Sequence, residues 1–159
     1  MPLVSAGMLP YRVREGLLEV LLAHPGGPIY AHRDAGWWSI PKGLPNRGEP
    51  LLDAAIRELR EEVGMVAERP FLKLGWVRQR GGKVVHAWAC NGDLPDGPLP
   101  SNTFHIQWPP LSGNWIVAPE VDRAAFFGLK EARVRIGVAQ AAFLDRLEGA
   151  LGRGTRAQA

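Results

Sequence analysis

The sequence predicts an α+β domain in which a central mixed β-sheet is covered by helices. Three observations predict it. With 19 Gly and 14 Pro among 159 residues, the chain has too many breakers for a helical bundle or coiled coil. Short apolar runs bounded by turn residues fill its first half. Amphipathic helical segments interrupt those runs without a regular βαβ rhythm, which argues for a mixed sheet rather than a doubly wound parallel one. At 46% hydrophobic and 22% charged residues the composition is that of a globular chain, not a disordered one. The length suits a single domain, expected over residues 1–151, with a small polar tail at 152–159 expected to be flexible.

The elements follow in order. Leu3 to Val13 is mostly apolar and meets a turn at Arg14-Glu15-Gly16. Leu17 to Ala23 reads as a buried strand, stopped by His24-Pro25-Gly26-Gly27-Pro28. Trp37 to Ile40 reads as a further strand ended by Pro41. Pro50 to Val63 is the clearest helix, with Pro50 in its first turn. Leu52, Ala55, Ile56, Leu59 and Val63 form its apolar stripe, and Gly64 ends it. Phe71 to Arg80 and Lys83 to Asn91 flank Gly81-Gly82, a hairpin signal. Asp93 to Pro100 is a Pro/Gly-rich loop, Ser101 to Trp108 a strand, and Pro109 to Pro119 irregular. Ala124 to Phe127 reads as a short strand. Ala139 to Leu151 is an amphipathic helix that turns Phe143, Leu144, Leu147 and Leu151 inward.

Charge excludes little. Against 19 Lys and Arg stand 16 Asp and Glu, a formal charge of +3, and no basic block marks a nucleic-acid surface. The lone Cys90 rules out an internal disulfide and a cysteine-based zinc site. Residues 1–10 lack a signal-peptide pattern and no apolar stretch approaches membrane-spanning length. A soluble cytoplasmic protein is expected, without membrane contact and either monomeric or homodimeric.

The sharpest chemical feature is Arg57-Glu58-Leu59-Arg60-Glu61-Glu62. At about 100° per residue, Glu58, Glu61 and Glu62 fall on neighbouring rows of one helix, flanking its stripe. Like charges three and four residues apart repel, and acids near a helix C-terminus oppose its dipole. A divalent cation would offset both; a solvated acidic face laced by Arg57 and Arg60 is the alternative.

The surrounding pattern favours the cation. Gly43 is followed after five residues by Glu49, after seven more by Arg57-Glu58-Leu59, and then by Arg60, Glu61-Glu62, Val63, Gly64 and Met65. This string, GLPNRGEPLLDAAIRELREEVGM, resembles the Nudix box G-x5-E-x7-R-E-U-x-E-E-x-G-U, with every defined position filled. Trp38-Ser39-Ile40-Pro41-Lys42-Gly43 resembles the usual entry to that box. The AHPGGP, SIPKG and SNTF…WPP stretches are similar to those of a bacterial subgroup of predicted NTP pyrophosphohydrolases. Leu44 departs from that subgroup, which more often has Glu there.

The resemblance implies a Nudix-type α/β/α sandwich and metal-dependent hydrolysis of a nucleoside diphosphate linked to another moiety X, with an NTP-like substrate favoured. Dinucleoside polyphosphates and RNA ends are the alternative substrates, and a non-catalytic nucleotide-binding module is the rival class. It implies Mg2+ or Mn2+ held by Glu58, Glu61 and Glu62, hard oxygen donors on a rigid helix. Arg57 would orient a glutamate through its i+4 relation to Glu61, and Glu49 would support the loop–helix junction or a second metal through water. Gly43 and Gly64 would serve backbone geometry, and Glu62 or Glu120 would act as any protein base. Lys42, Arg78, Arg80 and Lys83 are candidate phosphate partners. Trp108 and Trp115 are expected to line a pocket, while Trp38, Trp76 and Trp88 are expected in the core. The four histidines lack metal-like spacing, and Cys90 reads as a core residue.

Overall fold

A strongly apolar N-terminal strand needs partners on both edges, and it finds them. In the computed structural model, which describes residues 3–152, β1 (Val4–Arg14) runs parallel to β5 (Val84–Asn91) on one side. On its other side the sheet divides. The C-terminal end of β1 pairs antiparallel with β2 (Leu17–Pro25), whereas Ala6 and Gly7 pair with β3 (Lys42–Gly43). Antiparallel β4 (Leu72–Arg78) and β8 (Val121–Gly128) complete the order β4-β5-β1-β2-β8. A separate hairpin is formed by β6 (Thr103–Gln107) and β7 (Trp115–Pro119).

Side-chain alternation sends each strand to two cores. Met8, Leu21 and Cys90 pack on one face against Ala54, Ala55, Leu59 and Val63 of α1 (Leu51–Val63). Leu9, Tyr11, Val20 and Leu22 pack on the other face. There they meet Ala132 of α2 (Leu129–Arg135) and Phe143, Leu144 and Leu147 of α3 (Ala141–Leu151). The result is an α+β sandwich of helix, mixed sheet and helices, as expected.

Several local expectations need correction. The strand expected at Trp37–Ile40 is instead a turn and two single bridges, Trp38 to Ile136 and Ser39 to Ala23, and pairing in register begins only at Lys42. Pro50 precedes helix α1 rather than lying in its first turn, its carbonyl accepting from Ala54 N–H at 3.0 Å. The segment Pro109–Pro119 is not irregular throughout, because its last five residues form β7. Helix α2 had no counterpart in the sequence pattern. Trp76 is 51% exposed rather than in the core; it lies on β4, an edge strand of the sheet. Cys90 is fully buried as expected. No helix among the described residues is long and apolar enough to cross a membrane. Apart from Gly152, the tail expected at 152–159 lies outside the described residues.

Candidate active site

The helix that carries the carboxylates packs one face on the sheet, and that face is not purely apolar. Glu58 and Glu62 are buried alongside Ala54, Ala55, Leu59 and Val63, whereas Leu52 and Ile56 are only half-buried. Burial of two acids is eased by the strand facing them, which brings the Lys42 charge as well as a backbone donor. Lys42 N–H of β3 donates to Glu62 Oε2 at 3.2 Å. At Gly43 a Cβ would collide with the Glu58 carboxylate, so the close approach of β3 to α1 requires glycine there. The helix ends at Gly64, whose left-handed φ of 78° lets its N–H reach Arg60 O at 3.0 Å.

Arg57 organises the acids more extensively than its i+4 relation to Glu61 suggests. Its Nε and Nη2 donate to the two oxygens of Glu49 at 2.9 and 2.8 Å, a bidentate pair. Its Nη1 donates to both Glu58 Oε1 and Glu61 Oε2 at 2.9 Å. The Arg57 guanidinium, aided by the Asn46 N–H, holds the Glu49 carboxyl down at about 2. Burial lifts the Glu58 carboxyl against the pull of Arg57. Glu62 is pushed up to about 8 by burial and by the neighbouring Glu58 charge. Burial together with the charge of Lys83 lowers Lys42 to about 8.

Glu120, remote in sequence, joins these groups. Its N–H donates to Asn102 O at 2.8 Å and its carbonyl accepts from Gly26 N–H at 2.9 Å, pinning the bend between β7 and β8. A groove of about 510 Å³ is lined by Lys42, Gly43, Arg57, Glu58, Glu61, Asn102 and Glu120. Glu62 lines an adjoining cleft of about 120 Å³ that shares Lys42 and Glu120 with the groove. Asn102 was not singled out from sequence; its Nδ2 approaches Glu61 Oε2 at 3.4 Å. The SNTF stretch was its only sequence signal.

Other expected partners lie elsewhere. Arg78 is exposed, donates to Gly82 O at 3.4 Å, and lines a shallow hollow with Trp76 and Arg146. Arg80 lines a separate hollow that shares Lys42 with the groove. Trp108 and Trp115 sit at the far end of the β6–β7 hairpin, opposite the end that adjoins Asn102 and Glu120. Hairpin geometry, which sequence position alone could not supply, takes both tryptophans away from the carboxylates.

The residues present suit a hard divalent cation by donor chemistry. Four carboxylates border one groove and cleft, two of them buried at an electrostatic cost. They are not a finished cage: among the described residues no three His, Cys, Asp or Glu side chains are arranged as a ready ligand set.

Comparison with known proteins places this geometry in context. The model of the NUDIX domain family matches residues 1–147. An uncharacterized Nudix hydrolase of Bacillus subtilis, YvcI, is 38% identical over 55 residues. That match spans 33% of this chain and 35% of the curated relative, so the chain covers only about a third of the relative's length. Among solved structures, a C. elegans Ap4A hydrolase binary complex is similar with a TM-score of 0.65 at 22% identity, over 93% of this chain and 98% of the other. The NUDIX domain of Shewanella oneidensis NrtR, complexed with ADP ribose, gives a TM-score of 0.69 at 14% identity over 95% and 89%. Both share the fold.

Proposed function

The chain belongs to the Nudix family, and we propose that it hydrolyses a pyrophosphate bond in a nucleoside diphosphate linked to a further moiety X. The observation that carries this reading is the groove beside which Arg57 clamps Glu49, Glu58 and Glu61, with Glu120 on its wall and Glu62 in the adjoining cleft. Glu58, Glu61 and Glu62 would hold Mg2+ or Mn2+. When bound, such a cation supplies neutralisation of the diphosphate charge and activation of water toward phosphorus.

The chain's own residues divide the remaining work. Arg57 fixes the rotamers of two glutamates and ties them to Glu49, so the acids stay aimed at the groove. Lys42, at the junction of groove and cleft, places a cation where a phosphate oxygen would lie. Glu120 is not among the partners of Arg57, and its pinned backbone makes it the carboxylate suited to orient the attacking water. An NTP-like substrate is favoured, and ADP-ribose and Ap4A, named for the similar structures, belong to the same chemical class. We read residues 1–151 as one catalytic domain acting as a cytoplasmic enzyme.

The test is a nucleotide panel with Mg2+ or Mn2+, products identified by mass, on wild type and on Glu61→Gln and Glu62→Gln. Release of phosphate, pyrophosphate or a nucleoside monophosphate by wild type, lost in both variants, is expected. A wild-type protein that cleaves none of the panel refutes the reading.

A further inference from the structure

The largest hollow beside the groove, of about 620 Å³, has a lining unlike that of the carboxylate site. Tyr30 and Trp37 stand on its wall with ring centroids 5.6 Å apart and planes tilted by 42°. Trp37 is 43% exposed although it belongs to a loop packed on the core. The hollow shares Lys42 with the groove, and Trp37, Ser39 and Lys42 with the cleft of Glu62. The hollow therefore adjoins the space beside the carboxylates, and its volume suits a drug-sized organic group.

One polar group in this hollow has its orientation set from the core. Ile40 N–H is buried and can only donate, so the Gln140 atom 3.0 Å from it is the amide oxygen. The Gln140 NH2 must then lie on the other side, 2.9 Å from Gln79 and 3.0 Å from Ser39 Oγ. A donor there requires an acceptor, so Gln79 turns its oxygen to Gln140 and its own NH2 away from it. Among the described residues that NH2 has no hydrogen-bond partner, and Gln79 lines the hollow. The backbone of Gln79 is held as well, its N–H donating to Lys83 O at 2.7 Å and its carbonyl accepting from Gly82 N–H at 2.9 Å. A backbone amide in the core thus dictates, through two glutamines, a fixed donor at the wall.

We propose that this hollow is the base subsite: Tyr30 and Trp37 pack against a planar heterocyclic base, and the Gln79 amide donates to an acceptor atom on its edge. A ring carbonyl or unprotonated ring nitrogen satisfies that donor; an exocyclic amino group in the same place leaves it unpaired. The inference rests on the nucleotide pyrophosphohydrolase reading above and names the residues that would select among its substrates.

The experiment measures kcat and KM for ATP, GTP, CTP, UTP and ADP-ribose with Mg2+ in wild type, Gln79→Leu, Gln79→Glu and Trp37→Ala. In parallel, tryptophan fluorescence is titrated with the nucleoside monophosphates in metal-free buffer. Gln79→Glu can still accept from Gln140, so it separates loss of the donor from loss of the glutamine chain. Both Gln79 variants should raise KM and monophosphate Kd for the preferred base by about tenfold, with kcat little changed. Trp37→Ala should raise KM for every base and remove the fluorescence response. Unchanged KM and Kd in all variants, while wild type still cleaves nucleotides, overturns the subsite and leaves the hydrolase reading standing. A fall in kcat at constant KM equally overturns the base contact. A wild type that neither binds nor cleaves any of the compounds overturns both.

Discussion

Replacing Gly43 by Ala tests the closest approach in the candidate site. A Cβ at position 43 would stand less than 3.0 Å from Cδ, Oε1 and Oε2 of Glu58, whereas ordinary contact begins at 3.4 Å. Gly43 is not among the glycines with positive φ, so backbone strain is not the obstacle. The carboxylate must retreat instead. Its side chain is only 10% exposed and its Oε1 is bonded to Arg57 Nη1 at 2.9 Å, so it cannot swing into solvent without breaking the clamp. A retreat of about 1 Å of a group that positions a reaction costs roughly 100-fold in rate. Overpacking a filled site costs about 1–3 kcal/mol, at the lower end here because the displaced group is the end of a side chain. For a domain of this size each kcal/mol lowers Tm by about 2–4 °C. The assay is initial release of phosphate or pyrophosphate from the preferred nucleotide with Mg2+, with a thermal melt alongside. A Gly43→Ala protein within about twofold of the wild-type rate refutes the argument that this approach sets the geometry.

Four further outcomes are expected. Arg57→Ala should lower stability by about 2–3 kcal/mol, because Glu58, largely buried, loses its cation; Arg57→Lys should recover less than half in a urea melt, lacking the bidentate fork to Glu49. The Glu49 carboxyl is held at about 2 against an ordinary 4.5, so its contribution is complete above pH 4.5 and disappears as pH falls through 2. Glu49→Gln should flatten the acid limb of a stability–pH curve in that window, and an unchanged limb counts against the pairing. Burial pushes the Cys90 thiol up to about 11, so a chromogenic disulfide reagent at pH 8 should label it only after denaturation; rapid labelling of the native protein contradicts the assigned core position. Phe143→Ala, at a fully buried side chain of α3, should cost about 3–5 kcal/mol in chemical denaturation.

Legibility in the sequence followed the range of the interactions. Helix α1 and its stop at Gly64 were readable because periodicity and capping are local. The hairpin of β4 and β5 was readable from Gly81-Gly82 for the same reason. Strand β7 was obscured because its flanking prolines resemble loop punctuation, although an edge strand of a two-stranded ribbon tolerates them. Helix α2 spans only seven residues, too few to display a period. Trp108 was read as pocket-lining from its Pro-rich surroundings, which say that it lies near a turn but not where the turn points.

The sequence by itself determined the chemistry available: three glutamates on adjoining rows of one helix, an arginine one turn before Glu61, and glycines at both ends of the motif. Those relations hold because a helix fixes the spatial offset of residues three and four apart. Tertiary structure decided which acids are buried, that Glu49 shares Arg57 with Glu58 and Glu61, and that Glu120 borders the same groove. It also brought Tyr30, Gln79 and Gln140 around one hollow. Such meetings depend on how the sheet divides beside β1 and on the register of β3 and β8, and no spacing along the chain encodes them.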